Sequence, residues 1–490
     1  MTVLPNNWVT TDLESIAEIL DYKRVPINSK ERQKRKENKK LNELYPYYGA
    51  TGQVDYINDY LFDGEYILLG EDGAPFLDPL KNKAYIVSGK FWVNNHAHIL
   101  KGYISNKYLC FYLNQYNFIG HVTGTTRLKL NQSSMKNITI KVAPLNEQNR
   151  IVEKIEELFS DLDKATEDLK KTQEQLKIYR QAVLKAAFEG KLTEEWRGKN
   201  NISSAELLYK KVFNGRKEIY KKQQLKKHKK LKSPEKFYKK ENFKEVKYDD
   251  IPYSWKKIKF IDLIKYEENS IKRGPFGSAI KKAFFVPKGY KVYEQKNAIN
   301  DDAKLGNYFI NEAKYKELER FSVKSGDYII SCSGTIGRIS KLPKDTLKGV
   351  INQALLKIVL EEDLIIDKLF LYLFRAEFFQ RKVLKETRGS AMKNIASVED
   401  IKNINVLLPS NEEQEQILQE IETRLSIYDK LEETVQQSLE KIEYLRQSIL
   451  KKAFEGNLVP QNPEDEPAEN LLERIKQEKE KFELNKKKRK

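Results

Sequence analysis

The stretch "RQAVLKAAFEGKL", at residues 180–192, returns almost unchanged as "RQSILKKAFEGNL" at residues 446–458. When the two copies are aligned, the match extends upstream to Gln148 and Gln414, with roughly 18 identities in about 45 positions. Self-similarity over such a length indicates an internal duplication, in which one structural unit is built twice. The fold of the whole 490-residue chain therefore depends on what this stretch does.

Both copies are predicted to be long helices that pack against each other. In each copy, apolar residues recur at alternating steps of three and four, which places one apolar seam on the helix, as in coiled coils. A helix of about 40 residues is about 60 Å long and cannot bury such a seam by itself, so we expect an antiparallel pair. The predicted seam residues are Ile155, Leu162, Leu169, Leu176 and Val183 in the first helix and Ile421, Tyr428, Val435, Ile442 and Ile449 in the second.

The duplication extends to the segments that precede the helices. "PNNW" at residues 5–8 returns as "PYSW" at residues 252–255, and "GEYILLGEDG" from Gly64 resembles "GDYIISCSGTIG" from Gly326. Short runs rich in Tyr, Ile and Val, separated by glycines, predict strands in these segments. We therefore expect an α+β fold with two similar globules separated by two long antiparallel coiled-coil helices. The predicted parts are a globule at 1–147, a helix at 148–192, a basic linker at 193–247, a second globule at 248–413, a second helix at 414–458 and a helical, basic tail at 459–490.

Charge and composition limit the class of protein. Lysine and arginine outnumber aspartate and glutamate by 89 to 71, a net charge of +18, which favours a polyanionic partner. About 16 basic and 4 acidic residues lie between residues 210 and 247, so much of the excess is in the linker, where lysine runs are more often solvated than bound. Two cysteines are too few for a disulfide framework, and no apolar run is long enough to span a bilayer. We expect a cytoplasmic protein with no membrane partner.

No catalytic motif is recognisable in the sequence. A phosphate-binding loop, a nucleophile elbow and the Asn/Asp-Pro-Pro-aromatic motif of adenine methyltransferases are all missing. His96 and His98, together with His121, are the best candidates for a metal site, but no carboxylate accompanies them in a clear pattern. Ordinary polar strand residues, or contacts to nucleic acid, are the favoured interpretation, and we predict no metal site and no catalytic residue. The chain is expected to bind rather than to react.

Four further motifs carry a resemblance to a known family. They are the segment at residues 45–73, "TGTTRLKLNQSSMKNITIKVAPLNEQ" at residues 123–148, "RGPFGS" at residues 273–278, and the two helices that end in "FEG". In order and repetition, they resemble the DNA-specificity subunits of type I restriction-modification systems over nearly the whole chain.

The resemblance implies a noncatalytic, DNA-binding role. Each globule would be a target-recognition domain that reads one half of a bipartite sequence in double-stranded DNA, and the helices would set the gap between the halves. The chain itself would hold no cofactor, because S-adenosylmethionine would bind to the partner subunits. Those partners would be two methyltransferase (M) subunits, joined for restriction by motor-nuclease (R) subunits.

Candidate DNA contacts are polar and basic residues in predicted turns, which can reach phosphates or base edges. They are Tyr48, Thr51, Gln53, Thr123, Thr125, Thr126 and Arg127 in the first globule, and Arg273, Ser278, Ser333, Thr335, Arg338, Arg388, Ser390 and Lys393 in the second. The alternative is that these are capped surface turns, and that Tyr48 belongs to the core. Arg127 corresponds to Met392 in the other copy, so the two half-sites are expected to differ.

Phe188 and Phe454 precede the glycine that ends each helix. They are interpreted either as the hydrophobic contact of a helix C-cap or as docking residues for the methyltransferase subunits. Two other functions stay open: a fused restriction or modification enzyme with an unrecognised catalytic motif, and a coiled-coil scaffold that joins proteins and ignores DNA.

Overall fold

The computed structural model describes residues 4–226, 251–386 and 393–488. Two α+β globules are each followed by one long helix, as the sequence predicts. The strands of the first globule are β1 (Val9–Asp12), β2 (Ala17–Ile19), β3 (Tyr45–Gly49), β4 (Gly52–Ile57), β5 (Phe62–Asp63), β6 (Tyr66–Gly70), β7 (Ala84–Val87), β8 (Lys90–Val93), β9 (Ala97–Gly102), β10 (Val122–Thr123), β11 (Lys129–Leu130) and β12 (Thr139–Val142). Its helices are α1 (Leu13–Ile16), α2 (Ser29–Lys36), α3 (Asn106–Gln115) and α4 (Gln132–Lys136).

Three helices follow the first globule, and a second globule comes after them. The three helices are α5 (Leu145–Phe188), α6 (Glu194–Lys199) and α7 (Ala205–Lys226). The strands of the second globule are β13 (Lys256–Lys259), β14 (Ile271–Arg273), β15 (Phe285–Val286), β16 (Tyr290–Tyr293), β17 (Phe309–Ile310), β18 (Ser322–Val323), β19 (Tyr328–Ser331), β20 (Ile339–Lys341), β21 (Gly349–Ile351), β22 (Leu355–Ile358), β23 (Leu384–Glu386), β24 (Lys393–Ile395) and β25 (Asn405–Leu408). Its helices are α8 (Gln295–Ile299), α9 (Glu312–Glu317), α10 (Asp367–Arg375), α11 (Glu377–Val383) and α12 (Val398–Lys402), and α13 (Asn411–Phe454) and α14 (Ala468–Lys488) complete the described chain.

The two globules share one strand order, to which the second globule adds β15 at one sheet edge, and this confirms the duplication. An antiparallel sheet runs β2-β9-β6-β7 in the first globule and β14-β22-β19-β20 in the second. A second sheet runs β4-β3-β8-β5 in the first and β15-β17-β16-β21-β18 in the second, with parallel pairing of β3 to β8 and of β16 to β21. Strand β6 shows why such sheets form, since its residues 67–69 are buried on both faces of the strand, as in a strand that lies inside a sheet.

The chain divides into two compact units, and each contains one globule and part of both long helices. Unit 1 comprises Met1–Thr172 and Glu433–Lys490, and unit 2 comprises Gln173–Glu432. In unit 1, the start of α5 packs on the end of α13, where Arg446 Nη2 donates to Asp163 Oδ1 at 2.5 Å. In unit 2, the end of α5 packs on the start of α13, where the Arg180 guanidinium lies 5.4 Å from the Tyr428 ring centre. The helices therefore pack antiparallel, as predicted.

The ten predicted seam residues are all withdrawn from solvent to some degree. Ile155, Leu176, Val183, Ile421, Tyr428, Val435 and Ile442 are buried, and Leu162, Leu169 and Ile449 are half-buried. Each helix begins three residues before the predicted start and ends at phenylalanine rather than four residues later. It ends there because the glycine two positions on, Gly190 or Gly456, adopts a φ of +74°, which breaks the helix.

A corner of the same design closes the helix end in each unit. A Cβ on Gly190 would lie 2.5 Å from Pro252 of the "PYSW" turn, and one on Gly456 would clash with Pro5 of the "PNNW" turn. A later helix starts on the same turn, α7 in one unit and α14 in the other: Ala205 N donates to Ser254 O at 2.8 Å, and Ala468 N donates to Asn7 O at 2.9 Å. The repeated "FEG" is therefore explained by a corner that the fold makes twice.

The segment predicted as a basic linker is partly helical. It contains α6 and α7, and α7 is anchored to the second globule by the buried Arg216, whose Nη2 donates to the carbonyl oxygens of Asp262 (2.7 Å) and Ile264 (3.0 Å). Residues 227–247 lie outside the described residues. Within the described ranges, we find no helix with both the length and the apolar character needed to cross a membrane.

Candidate nucleic-acid interface

Three loops of the first globule meet around Arg127. They follow β6 (residues 71–73), join β8 to β9 (94–96) and join β10 to β11 (124–128). Arg127 Nη2 donates to Asp72 Oδ1 at 2.6 Å, and His96 Nδ1 lies 2.7 Å from the same oxygen. Burial raises the pKa of Asp72, but His96 and Arg127 lower the pKa more strongly, so it lies below its usual value. The ionised carboxylate thus holds an arginine whose side chain is 61% exposed.

Glycine makes this arrangement possible at two positions. Gly124 has a φ of +96°, and a Cβ there would lie 2.5 Å from the carbonyl oxygen of Arg127. Gly73 has a φ of +70°, and a Cβ there would lie 3.3 Å from Arg127 Nε. Left-handed backbone favours glycine, so both loops can approach the guanidinium closely.

The turn between β3 and β4 adjoins these loops and brings further predicted residues to the same edge. Asn94 N donates to Tyr48 O at 3.0 Å, and Ala50 O faces Gly70. Thr51 and Gln53 are exposed on this turn. The predicted threonines of the neighbouring loop, Thr123, Thr125 and Thr126, are exposed as well. The Tyr48 ring is half-buried and packs against Phe91, with ring centres 5.8 Å apart, and its contact with DNA stays a prediction.

A buried ion network supports the loops from beneath. His98 Nδ1 lies 2.6 Å from Asp21 Oδ2, and His98 Nε2 lies 2.9 Å from the carbonyl oxygen of Leu130. Arg24 Nη1 donates to Glu71 Oε2 at 2.6 Å. Burial raises the pKa of Asp21, but the hydrogen bond and charge of His98 lower the pKa more, so it lies below its usual value. The network ties the first strand of the sheet to the loop that carries Arg127.

Part of this network has the residue types of a metal site. Among the described residues, Asp21, Glu71 and His98 form a group whose potential ligand atoms lie within 4.8 Å of one another. Both nitrogens of His98 already have partners, and Arg24 supplies positive charge to both carboxylates. Each potential ligand thus already has an ion-pair or hydrogen-bond partner. The three histidines considered from the sequence do not converge either, because His121 Nε2 bonds to the Tyr116 hydroxyl at 2.9 Å.

The second globule brings together a corresponding set of loops. Cys332 N donates to Ala354 O at 2.7 Å, and a Cβ on Gly274 would collide with the carbonyl of Asn352. The predicted residues Arg273, Ser278, Ser333, Thr335 and Arg338 are all exposed on these loops. Arg388 and Ser390 lie outside the described residues, and Lys393 begins β24, which pairs with β23.

Backbone hydrogen bonds align the two interfaces residue by residue. The bond from Asn94 N to Tyr48 O has its counterpart from Asn352 N to Tyr293 O, both at 3.0 Å. The bond from Glu71 N to His96 O corresponds to the one from Cys332 N to Ala354 O, both at 2.7 Å. His96 is therefore replaced by Ala354, and Glu71 by Cys332. The same scaffold presents different side chains in the two globules.

Helix α2 adds a basic surface that the sequence interpretation overlooked. Its sequence, "SKERQKRK", holds five cationic residues. Arg32 and Lys36 both pair with Asp55 of β4, at 3.2 and 2.6 Å, which fixes the helix to the sheet. Lys30 and Lys34 are exposed. The sequence signal for this surface is the cluster of cations in residues 29–36, which is shorter than the lysine run of the linker.

Phe188 and Phe454, for which docking is predicted, are both buried. Phe188 is 7% exposed and its ring lies 6.0 Å from that of Phe378, whereas Phe454 is 1% exposed. The Phe454 ring contacts Tyr108 and Tyr112 edge to face, at 5.1 and 5.0 Å. Phe454 thus belongs to the hydrophobic core of its unit, the contact of Phe188 with Phe378 fits the interpretation of a helix C-cap, and docking by these two residues stays a prediction.

Comparisons with known proteins agree with this description. The family model for the type I restriction modification DNA specificity domain matches residues 5–177 and 315–444. The EcoDI specificity subunit of Escherichia coli is 25% identical over 446 residues, 89% of each chain. The S.HindORF215P specificity subunit of Haemophilus influenzae is 34% identical over 148 residues, and the chain spans 36% of the length of that relative. One solved structure comes from work on complex assembly and conformational transition of the type I R-M system. It covers 93% of this chain, with a TM-score of 0.58 and 16% identity.

Proposed function

The chain belongs to the type I restriction modification DNA specificity family, and from that premise we propose that its two globules each bind one half of a bipartite DNA sequence. The observation that carries the proposal is the pair of equivalent interfaces with unlike side chains. A shared scaffold positions both sets of loops. Different side chains at equivalent positions, such as His96 and Ala354, change what each interface can recognise. Two different half-sites follow from such an arrangement.

The candidate contacts sort into two kinds. Lys30 and Lys34 of α2 are long and exposed, which suits contacts to phosphates that position the protein without reading sequence. Arg127 is held by Asp72 and His96, and a fixed guanidinium suits a directed contact to a guanine edge. The loops around Arg127 would therefore supply selectivity and α2 general affinity.

Catalysis in this proposal resides in partner subunits. The chain binds no cofactor itself, and two methyltransferase subunits bring S-adenosylmethionine, with restriction subunits joining the complex. This division is supported by the named relatives, which are specificity subunits, and by a sequence without a recognisable catalytic motif.

The docking surface for the methyltransferases also includes exposed apolar pairs on the helices. Ile178 and Tyr179 of α5 are exposed, and so are Tyr444 and Leu445 of α13. Each pair stands directly before the copied arginine, Arg180 or Arg446 in the alignment of the two helices. One apolar pair per copy fits two molecules of one partner. Replacing Ile178 and Tyr179 by glutamate should leave one methyltransferase bound instead of two, as measured by the mass of the complex.

A loop exchange tests the two-reader proposal. Residues 71–73, 94–96 and 123–129 would be replaced by those of a relative with a different known target, which leaves the contacts of Tyr108 and Tyr112 with Phe454 intact. The methylated sequences of the assembled complex would then be mapped by sequencing. We expect one half of the target to change and the other to stay. The matched control exchanges 331–338 and 352–354, which should change the other half. A change in both halves, or in neither, would contradict the proposal.

A further inference from the structure

In each globule an exposed aromatic side chain lies in the same connection, with Tyr22 three residues after Ile19 and Phe276 five residues after Ile271. Tyr22 is 73% exposed and Phe276 is 91% exposed. Each lies in the connection that follows the first strand of the four-stranded antiparallel sheet, β2 in one globule and β14 in the other. Ile19 pairs with Leu100 and Ile271 with Ile358 in the same register of the two sheets, so the connections start at equivalent points.

Both connections are anchored to the first residue of the strand that follows an interface loop, β9 in the first globule and β22 in the second. In the first globule, Arg24 Nη1 donates to the carbonyl oxygen of Ala97 at 3.1 Å. In the second, Gly274 N donates to the carbonyl oxygen of Leu355 at 2.8 Å. Ala97 and Leu355 occupy equivalent positions, since each pairs with the last residue of the adjacent strand, Gly70 or Ser331. Both connections therefore run beside the end of an interface loop of their own globule.

The backbone around each ring is held on both sides. Asp21, directly before Tyr22, accepts from Ile99 N at 2.9 Å, and Arg24 N closes the turn by donating to Asp21 O at 3.1 Å. Pro275, directly before Phe276, is buried, and Ala279 N donates to Phe276 O at 2.9 Å. Water is an unfavourable environment for a phenyl ring, and a fixed backbone keeps that ring presented. Binding would then cost little conformational entropy.

We propose that Tyr22 and Phe276 are wedge residues, each of which inserts its ring against a base step of the half-site that its own globule binds. This rests on the proposed function. Proteins that bind duplex DNA use apolar side chains in this way to unstack and bend a step, and pyrimidine–purine steps are the most easily opened. The two rings would thus add selectivity for deformable steps, beside the polar contacts of the neighbouring loops.

The test uses the full chain and a duplex that it selects from a pool of random sequences. Phe276→Ala should lower the affinity for the selected duplex by roughly 10- to 100-fold, which is the size of the contribution of base–aromatic stacking in other complexes. The loss of affinity for unselected DNA should be much smaller. Phe276→Trp should restore the affinity. The control is Tyr253→Ala, which removes an aromatic of similar exposure, 74%, from the "PYSW" turn, and it should leave selected binding unchanged.

Insertion has its own signature. With 2-aminopurine in the half-site of the second globule, fluorescence should rise when the wild-type chain binds and stay low with Phe276→Ala; Tyr22→Ala should abolish the rise only for the probe in the other half. A selective loss of affinity without a rise in fluorescence would overturn insertion and leave a groove contact, and equal affinities of wild type and Phe276→Ala would overturn any contact. If the chain selects no duplex at all, the proposed function fails before this inference is reached.

Discussion

Arg127 is a side chain that the fold holds without burying it. Its ion pair with Asp72 fixes one edge of the guanidinium, and the rest stays open to solvent. A contact fixed in this way serves recognition better than a free lysine does, because less side-chain freedom is lost on binding.

Arg127→Ala should therefore weaken binding unevenly across sequences. A bidentate contact to a base edge accounts for roughly 1–3 kcal/mol of discrimination, so one base pair of the target should lose its preference. The measurement is the affinity for a panel of duplexes that differ by single base pairs. Lys30→Gln is the matched control, for which an equal and small loss on every duplex is expected. An equal loss of affinity across the panel for Arg127→Ala would show that Arg127 contacts a phosphate rather than a base.

Glu147 gives a second prediction at this scale. It is buried at the start of α5, where Oε2 accepts from Trp8 Nε1 at 3.0 Å, and Oε1 has no hydrogen-bond partner among the described residues. Burial raises the pKa of Glu147 above its usual value, although Trp8 and Arg150 oppose the shift. A carboxyl whose pKa rises on folding contributes stability at low pH and loses this contribution as the pH rises through the folded-state pKa.

Glu147→Gln removes this titration. The free energy of unfolding of the variant, minus that of the wild type, should become more positive as the pH rises from about 4.5 through the raised pKa of Glu147, and then level off. Urea unfolding of both proteins at a series of pH values would measure this difference in free energy. The control is Glu413→Gln, because Glu413 accepts from Arg197 at 2.5 Å and Thr193 at 2.7 Å. Breaking this buried pair should cost about 3–5 kcal/mol. A difference for Glu147→Gln that does not vary with pH would contradict the assignment.

At the scale of elements, the corners that end α5 and α13 are the most sharply defined feature. Gly456→Ala should destabilise unit 1, because left-handed backbone costs an alanine about 1–2 kcal/mol and its Cβ would also displace Pro5. Gly198→Ala is the control, since this glycine lies in α6 with no atom within 4 Å of a new Cβ, and alanine there should stabilise by about 0.5–1 kcal/mol. Thermal unfolding of both variants measures these changes in stability, and similar melting temperatures for the two variants would contradict the role of the corner.

The sequence predicts the long helices and the duplication well, because a seam and a repeat are both local patterns. The anchors of Arg127 are a different matter. Asp72 and His96 are 55 and 31 positions from Arg127, and they meet it through the pairing of β6 with β9 and the bridge between Asp72 and Lys129. Nothing in the local sequence marks Tyr22 as exposed either, since its exposure follows from the anchoring of Asp21 and Arg24. The helix ends were misplaced because the predicted helix included the corner itself.

For the whole molecule, the proposed role of the helices is to set the gap between the half-sites. Four residues inserted after Asp168 would add about 6 Å of rise and about 40° of rotation beyond a full turn. One further base pair adds about 3.4 Å and roughly 35°. Seven inserted residues keep the seam but add about 10.5 Å with almost no net rotation, whereas the matching three base pairs turn by about 100°.

The four-residue insertion should therefore lengthen the unread gap by about one base pair with activity retained. The seven-residue insertion should lose more activity despite its gentler effect on the packing of the seam. Sequencing the sites that each variant methylates, in complex with the partner methyltransferase, measures both. An active four-residue variant with an unchanged gap would show that the helices do not set it.

The division of the chain into units has a consequence for how the protein is made. Unit 2 is one uninterrupted segment, 173–432, whereas unit 1 needs both 1–172 and 433–490. A ribosome adds about 5–20 residues per second, so the first segment of unit 1 waits roughly 13–50 s for its second. During that interval, Tyr108 and Tyr112 lack the phenylalanine that later covers them. The nascent chain therefore completes unit 2 before unit 1, and a chain released before Phe454 is added leaves Tyr108 and Tyr112 without that cover.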